Sequence, residues 1–91
     1  MSKRALSAPG WVGRHVAAQL HAEFKGSYPG SQEDLGRALG ISQQQVSKLL
    51  RGTVVINVDQ LQALCDELGL SSRDILGAAE HDWRLAQRPS D

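Results

Sequence analysis

The apolar residues of this chain fall into short stripes at helical spacing, and no stretch sustains the alternation of a half-buried strand. The first stripe is Val12, Val16, Leu20 and Phe24, with Ala17 beside it. It predicts a helix of about four turns, opening between Pro9 and Trp11. Gly26 stands where that helix would stop, and KGSYPG reads as a loop from its glycines, serine and proline.

The later stripes share one grammar: a capping residue, a few apolar positions, then glycine. Ser31 opens the second helix, with Asp34 three residues on as the acidic half of a capping box. Leu35, Ala38 and Leu39 are its apolar face, and Gly40 ends it. Ser42 opens the third, where Gln45 completes an S-x-x-Q box. Val46, Leu49 and Leu50 follow, and Gly52 stands where a left-handed residue is wanted. Asn57 with Gln60 opens the fourth; Val58, Leu61, Leu64, Cys65 and Leu68 line one face, and Gly69 ends it. Ser71 with Asp74 opens the fifth, with Ile75, Leu76 and Ala79 behind it. Trp83, seven residues after Leu76, extends this helix past Gly77 to about Leu85. The expected fold is all-α: a compact bundle of five short helices.

Only Gly40, Ile41 and Ser42 separate the second and third helices. So short a turn sets two helices at a steep angle, the helix-turn-helix arrangement. Gly40 supplies the positive φ of the bend, and Ile41 plugs the corner. Gly36 lies inside the second helix, where glycine costs roughly 1 kcal/mol against alanine. A small residue there makes sense if the third helix crosses close by.

Residues 32–51, QEDLGRALGISQQQVSKLLR, resemble the helix-turn-helix of the phage repressor/Cro family. Gln32 opens the motif, Leu35 is its first core residue, and Gly36 takes the small-residue position, where alanine is more usual. Leu39, Gly40 and Ile41 form the turn, Ser42 caps the recognition helix, and Val46 and Leu49 anchor it. VDQLQALCDELGLSSRDIL resembles the family's fourth and fifth helices, and the likeness spans roughly residues 12–79. It implies a domain over 11–86, with a flexible arm at 1–10 and a frayed tail at 87–91. The expected function is sequence-specific binding of double-stranded DNA by a transcriptional regulator, read as a repressor. The same fold also serves antitoxin-like modules that bind a partner protein beside or instead of DNA.

The wheel of the third helix separates two faces. At about 100° per residue, Gln43, Gln44, Ser47, Lys48 and Arg51 share an arc of about 140°. Val46, Leu49 and Leu50 lie opposite, with Gln45 among them. The N-terminal part of this helix enters the major groove in the family, which makes Gln43, Gln44, Ser47 and Lys48 the expected base readers. A glutamine amide presents a donor beside an acceptor, matching the major-groove edge of adenine. Gln32, Ser42, Arg51 and Thr53 make the expected phosphate set. The resemblance gives Gln32 the N-terminus of its helix, where free backbone N–H groups and the dipole favour an anion.

The match departs after Gly52. The family commonly carries a basic residue there, whereas this chain reads TVVIN. Each missing ion contact lowers the log–log salt slope by about 0.9. Val54, Val55 and Ile56 either join the core or form an apolar partner patch. With Trp83 they are the expected interface of a homodimer, its two recognition helices about 34 Å apart on a palindromic operator. The KGSYPG loop is longer than the commonest family spacing; Lys25 and Tyr28 in it read as solvated.

Composition sharpens this only a little. The 91 residues carry no net formal charge, which speaks weakly against nucleic acid. Residues 1–55, however, hold seven Lys/Arg against three acids, and residues 56–91 hold three against seven. That asymmetry suggests one basic face. MSKRAL reads as a disordered terminus rather than a DNA-reaching arm. It is followed by no signal-peptide core, no run approaches the roughly 18 apolar residues of a membrane span, and the cytoplasm is the expected compartment. Cys65 is the only cysteine and sits in an apolar stripe as a small hydrophobe. His15, His21, His81 and Cys65 show no metal-ligand spacing or nucleophile motif, so neither catalysis, metal nor cofactor is expected. His15 and His21 are placed on or beside the solvent face of the first helix.

Overall fold

The computed structural model describes residues 9–87; the basic N-terminal stretch MSKRAL and most of the expected tail lie outside the described residues. Among the described residues there are five helices and no strand: α1 (Trp11–Ser27), α2 (Gln32–Leu39), α3 (Gln43–Arg51), α4 (Val58–Leu68) and α5 (Ser72–Ala86).

The caps fix most of these boundaries. The Ser31 hydroxyl accepts from the Asp34 N–H at 3.1 Å, and the Asp34 carboxylate accepts from the Ser31 N–H at 2.9 Å. Asn57 and Gln60 make the same reciprocal pair at 2.7 and 3.0 Å. These bonds satisfy donors that a helix start would otherwise leave free. At α3 only half of the expected box exists: Ser42 Oγ accepts from the Gln45 N–H, with no return bond. Gly40, Gly52 and Gly69 end α2, α3 and α4 in the left-handed conformation. The expected stop at Gly26 is corrected. α1 runs through it to Ser27, and the chain leaves at Tyr28 in extended conformation. Pro29 follows, and a residue before proline is pushed out of the helical region.

α1 packs on α3, α4 and α5, while α2 packs on α3 and α4. Val16, Leu20, Leu35, Val46, Leu49, Leu50, Leu61, Leu64, Cys65 and Ala79 form the core. Leu20, Leu35 and Leu64 are completely covered. Each such leucine stabilises the fold by roughly 1.5–3 kcal/mol relative to exposure. Burial pushes the Cys65 thiol above its ordinary pKa, as suits a packing residue rather than a nucleophile.

The apolar expectations at Val58 and Leu76 are corrected. Val58 is 81% exposed rather than on the core face of α4. It is the first residue of that helix, ahead of the turn that reaches the core. Of the two alternatives for the run after Gly52, Val54 and Ile56 take the first and pack on the core, while Val55 is exposed. Leu76 is 38% exposed, leaving Ala79 as the one buried residue of α5.

Tyr28 is not a solvated loop residue. It stacks on Phe24 with ring centroids 5.4 Å apart, and its hydroxyl donates to Glu67 of α4 at 3.2 Å. Partial burial, then the Glu67 bond, raise its pKa. His15 is likewise not simply solvated: it stacks on Trp11 at 4.8 Å and meets Asp82 of α5 at 2.9 Å.

Candidate nucleic-acid interface

The helix-turn-helix unit is held by contacts between backbones. The Ile41 N–H donates to the Gly36 carbonyl at 2.9 Å, folding the turn back onto α2. A Cβ on Gly36 would lie 2.7 Å from the Ile41 carbonyl oxygen. The small residue is thus demanded by the turn, not by a side chain of α3. Ile41 is half-buried against the core, and Leu35, Val46, Leu49 and Leu50 lock the two helices from within.

This leaves one face of α3 to solvent. Gln43, Gln44, Lys48 and Arg51 are exposed and Ser47 is half-buried. Among the described residues, none of these side chains makes a hydrogen bond or ion pair within the chain. Gln45, on the other side, is half-buried. The first turn of α3 has no acidic residue, so its positive end is not offset.

The phosphate candidates differ from one another. Ser42 Oγ accepts from Gln45, which leaves its hydroxyl proton free to donate. Gln32 is the first residue of α2 and half-buried. The Asp34 and Leu35 N–H groups are already bonded to Ser31, so the free donors at that end are those of Gln32 and Glu33. Glu33 and Asp34 also put carboxylates there; Arg37 meets them at 3.8 and 3.2 Å and partly offsets their charge. Two hydrogen bonds from Ser31, with Arg37 nearby, hold the Asp34 carboxyl below the usual carboxylate range. Thr53 is spent: its N–H and hydroxyl both donate to the Lys48 carbonyl, at 3.1 and 3.2 Å. It has no donor left for a phosphate unless the hydroxyl turns.

The interface candidates come from the segment after α3 and from α4 and α5. Besides Val55 and Val58, Trp83 is 40% exposed and Leu85 is 47% exposed. Sequence reasoning missed the His15–Asp82 contact, whose partners are 67 residues apart. The sequence has no local signal for it beyond the pairing of Trp11 and His15 on one helix face. Among the described residues no cluster of His, Cys, Asp and Glu fits a metal ion, and no helix is long and apolar enough to cross a membrane.

A family model described as helix-turn-helix matches residues 30–75, half of the chain. No curated protein matches. A similar solved structure is the clp gene regulator ClgR from C. glutamicum, 23% identical, with a TM-score of 0.68 over 81% of this chain and 95% of that one. That likeness is one of fold. With the motif matched in sequence and its short turn, capped α3 and buried anchors in place, the chain belongs to the Cro/C1-type helix-turn-helix family of DNA-binding transcriptional regulators.

Proposed function

We propose that this regulator is a repressor that reads a specific duplex sequence with Gln43, Gln44, Ser47 and Lys48 of α3. Gln32, Ser42 and Arg51 hold the flanking phosphates. The observation that carries the reading is the division of α3. One face supplies three core residues, and the other offers polar side chains that no group among the described residues satisfies. Amide and cationic donors on a major-groove helix suit base edges. A similar solved protein is described as a gene regulator, which fits this reading. Repression would follow from occluding a promoter.

The active unit in this reading is a homodimer on an inverted repeat, with Val55, Val58 and the exposed α5 residue Trp83 as interface candidates. Selection from a random duplex library at about 0.15 M salt tests both parts. An enriched inverted repeat with half-sites one helical turn apart is expected. A single half-site would remove the dimer, and no enrichment would remove sequence reading. Light scattering at micromolar concentration, with and without the selected duplex, checks the dimer independently.

A second reading is favoured by the exposure of Val58, Trp83 and Leu85. An antitoxin-like chain would cover these residues with a foreign protein. Trp83→Ala would then abolish the complex and leave folding intact.

A further inference from the structure

The end of α3 lies against another helix. A Cβ placed on Gly52 would sit 3.4 Å from Ala17 Cβ, 3.7 Å from Arg14 Cα and 3.8 Å from Arg14 Cγ. The backbone of α1 therefore abuts the C-terminus of α3, with Arg51 before the contact and Thr53 after it. The following segment, TVVIN, carries no charge. Thr53 has already given both donors to Lys48. Beyond Arg51, the chain after α3 thus brings no free side-chain donor to this edge until Asn57, whose side chain faces α4.

Arg14 is exposed here. Its Nη1 donates to the Pro9 carbonyl at 2.9 Å, and among the described residues it meets no carboxylate. A guanidinium has five N–H donors, so most of its capacity has no partner among the described residues. Its planar fork suits phosphate oxygens, and being tethered at one nitrogen lessens the freedom lost on binding.

We propose that Arg14 grips a DNA phosphate beside the C-terminal end of α3, supplying from the first helix the cation that the segment after α3 lacks. This rests on the reading of α3 as the DNA-facing helix. It makes Arg14 a positioning residue without a role in base preference.

The experiment measures affinity against salt for the duplex enriched in selection, or a mixed-sequence duplex if none is enriched. The proteins are the full chain and its Arg14→Ala, Arg14→Lys and Arg73→Ala variants, with thermal melting as the check on folding. Arg73 is an exposed cation in the first turn of α5 and serves as the control for general charge. Arg14→Ala is expected to lower the log–log slope by about 0.9, which is about fivefold weaker binding at about 0.15 M salt. Base preference stays the same, Arg14→Lys keeps the slope, and Arg73→Ala leaves it unchanged. Arg14→Gln, which retains a donor, carries the same test if Arg14→Ala melts early. A wild-type slope in the variant that removes the charge overturns the proposal, as does an equal loss in Arg73→Ala. Binding by the wild type with no Arg14 effect sinks this proposal alone; no binding by the wild type to any duplex sinks the DNA reading with it.

Discussion

The α2–turn–α3 unit and α5 solve opposite problems. The first holds its shape by local rules: a reciprocal cap at Ser31, a cap at Ser42, left-handed glycines at Gly40 and Gly52, and a turn bonded back to Gly36. Its core residues Leu35, Val46, Leu49 and Leu50 are almost entirely covered. α5 is nearly twice as long as α2, at 15 residues against 8, yet buries only Ala79. It is held by packing on α1, by half-buried Ile75, and by the His15–Asp82 contact. A unit with a fully buried inner face and a helix that leaves much of its apolar surface in water are different materials. The first presents polar side chains from a well-buried base; the second leaves Leu76, Trp83 and Leu85 exposed.

The sharpest way to break this contrast is truncation. Leu49→Ala should cost about 2–5 kcal/mol in chemical denaturation, because it opens a cavity in a fully packed site. Leu76→Ala, on a residue already partly in water, should cost under about 1 kcal/mol. Comparable losses would mean that α5 is as tightly built as α3.

Next in size is the proposed division of labour on the DNA-binding face. Gln43→Ala or Gln44→Ala should cost about 1–3 kcal/mol on the best duplex and relax preference at one base pair. Gln32→Ala should weaken all duplexes alike. Identical profiles in a panel of single-base variants would erase the distinction between readers and positioners.

Caps come third. Ser42→Ala should destabilise by about 1 kcal/mol and fray the start of α3 in hydrogen exchange. The Asn57 box should survive, since it is local to α4. By contrast, His15→Ala should cost less than about 1 kcal/mol, because both partners are partly solvated. Its mark should be faster exchange confined to α5; uniform loss across α1 to α4 would show that this contact serves the whole core.

The smallest effect concerns acid. The Asp34 carboxyl is lowered in the folded state by its bonds to Ser31, with Arg37 adding to this. A depressed folded value contributes stability that is present above the unfolded carboxylate pKa of about 3.9 and is lost as pH falls through the folded value. Asp34→Asn should therefore flatten the stability profile in that acidic window by removing the contribution above it: stability falls slightly at neutral pH and is nearly unchanged below the folded value. An unaltered acid limb would remove the cap from the account.

The sequence by itself determined the helices and the motif, because caps, helical periodicity and left-handed glycines act within a few residues. Ser31, Ser42, Asn57 and Ser71 each cap where their spacing indicates, and the buried face of α3 is the one its wheel predicts. The polar face of α3 was legible for the same reason, being what remains when Val46, Leu49 and Leu50 turn inward. Tertiary structure alone decided what depends on distant partners. It joined His15 to Asp82 and Tyr28 to Glu67, and seated Val54 and Ile56 while leaving Val58 in water. It also laid Arg14 against the end of α3. An apolar side chain carries no record of which neighbour will cover it, and a polar one names a chemistry but not a partner. Only the crossing of helices, set by the packing of all their faces at once, makes that choice.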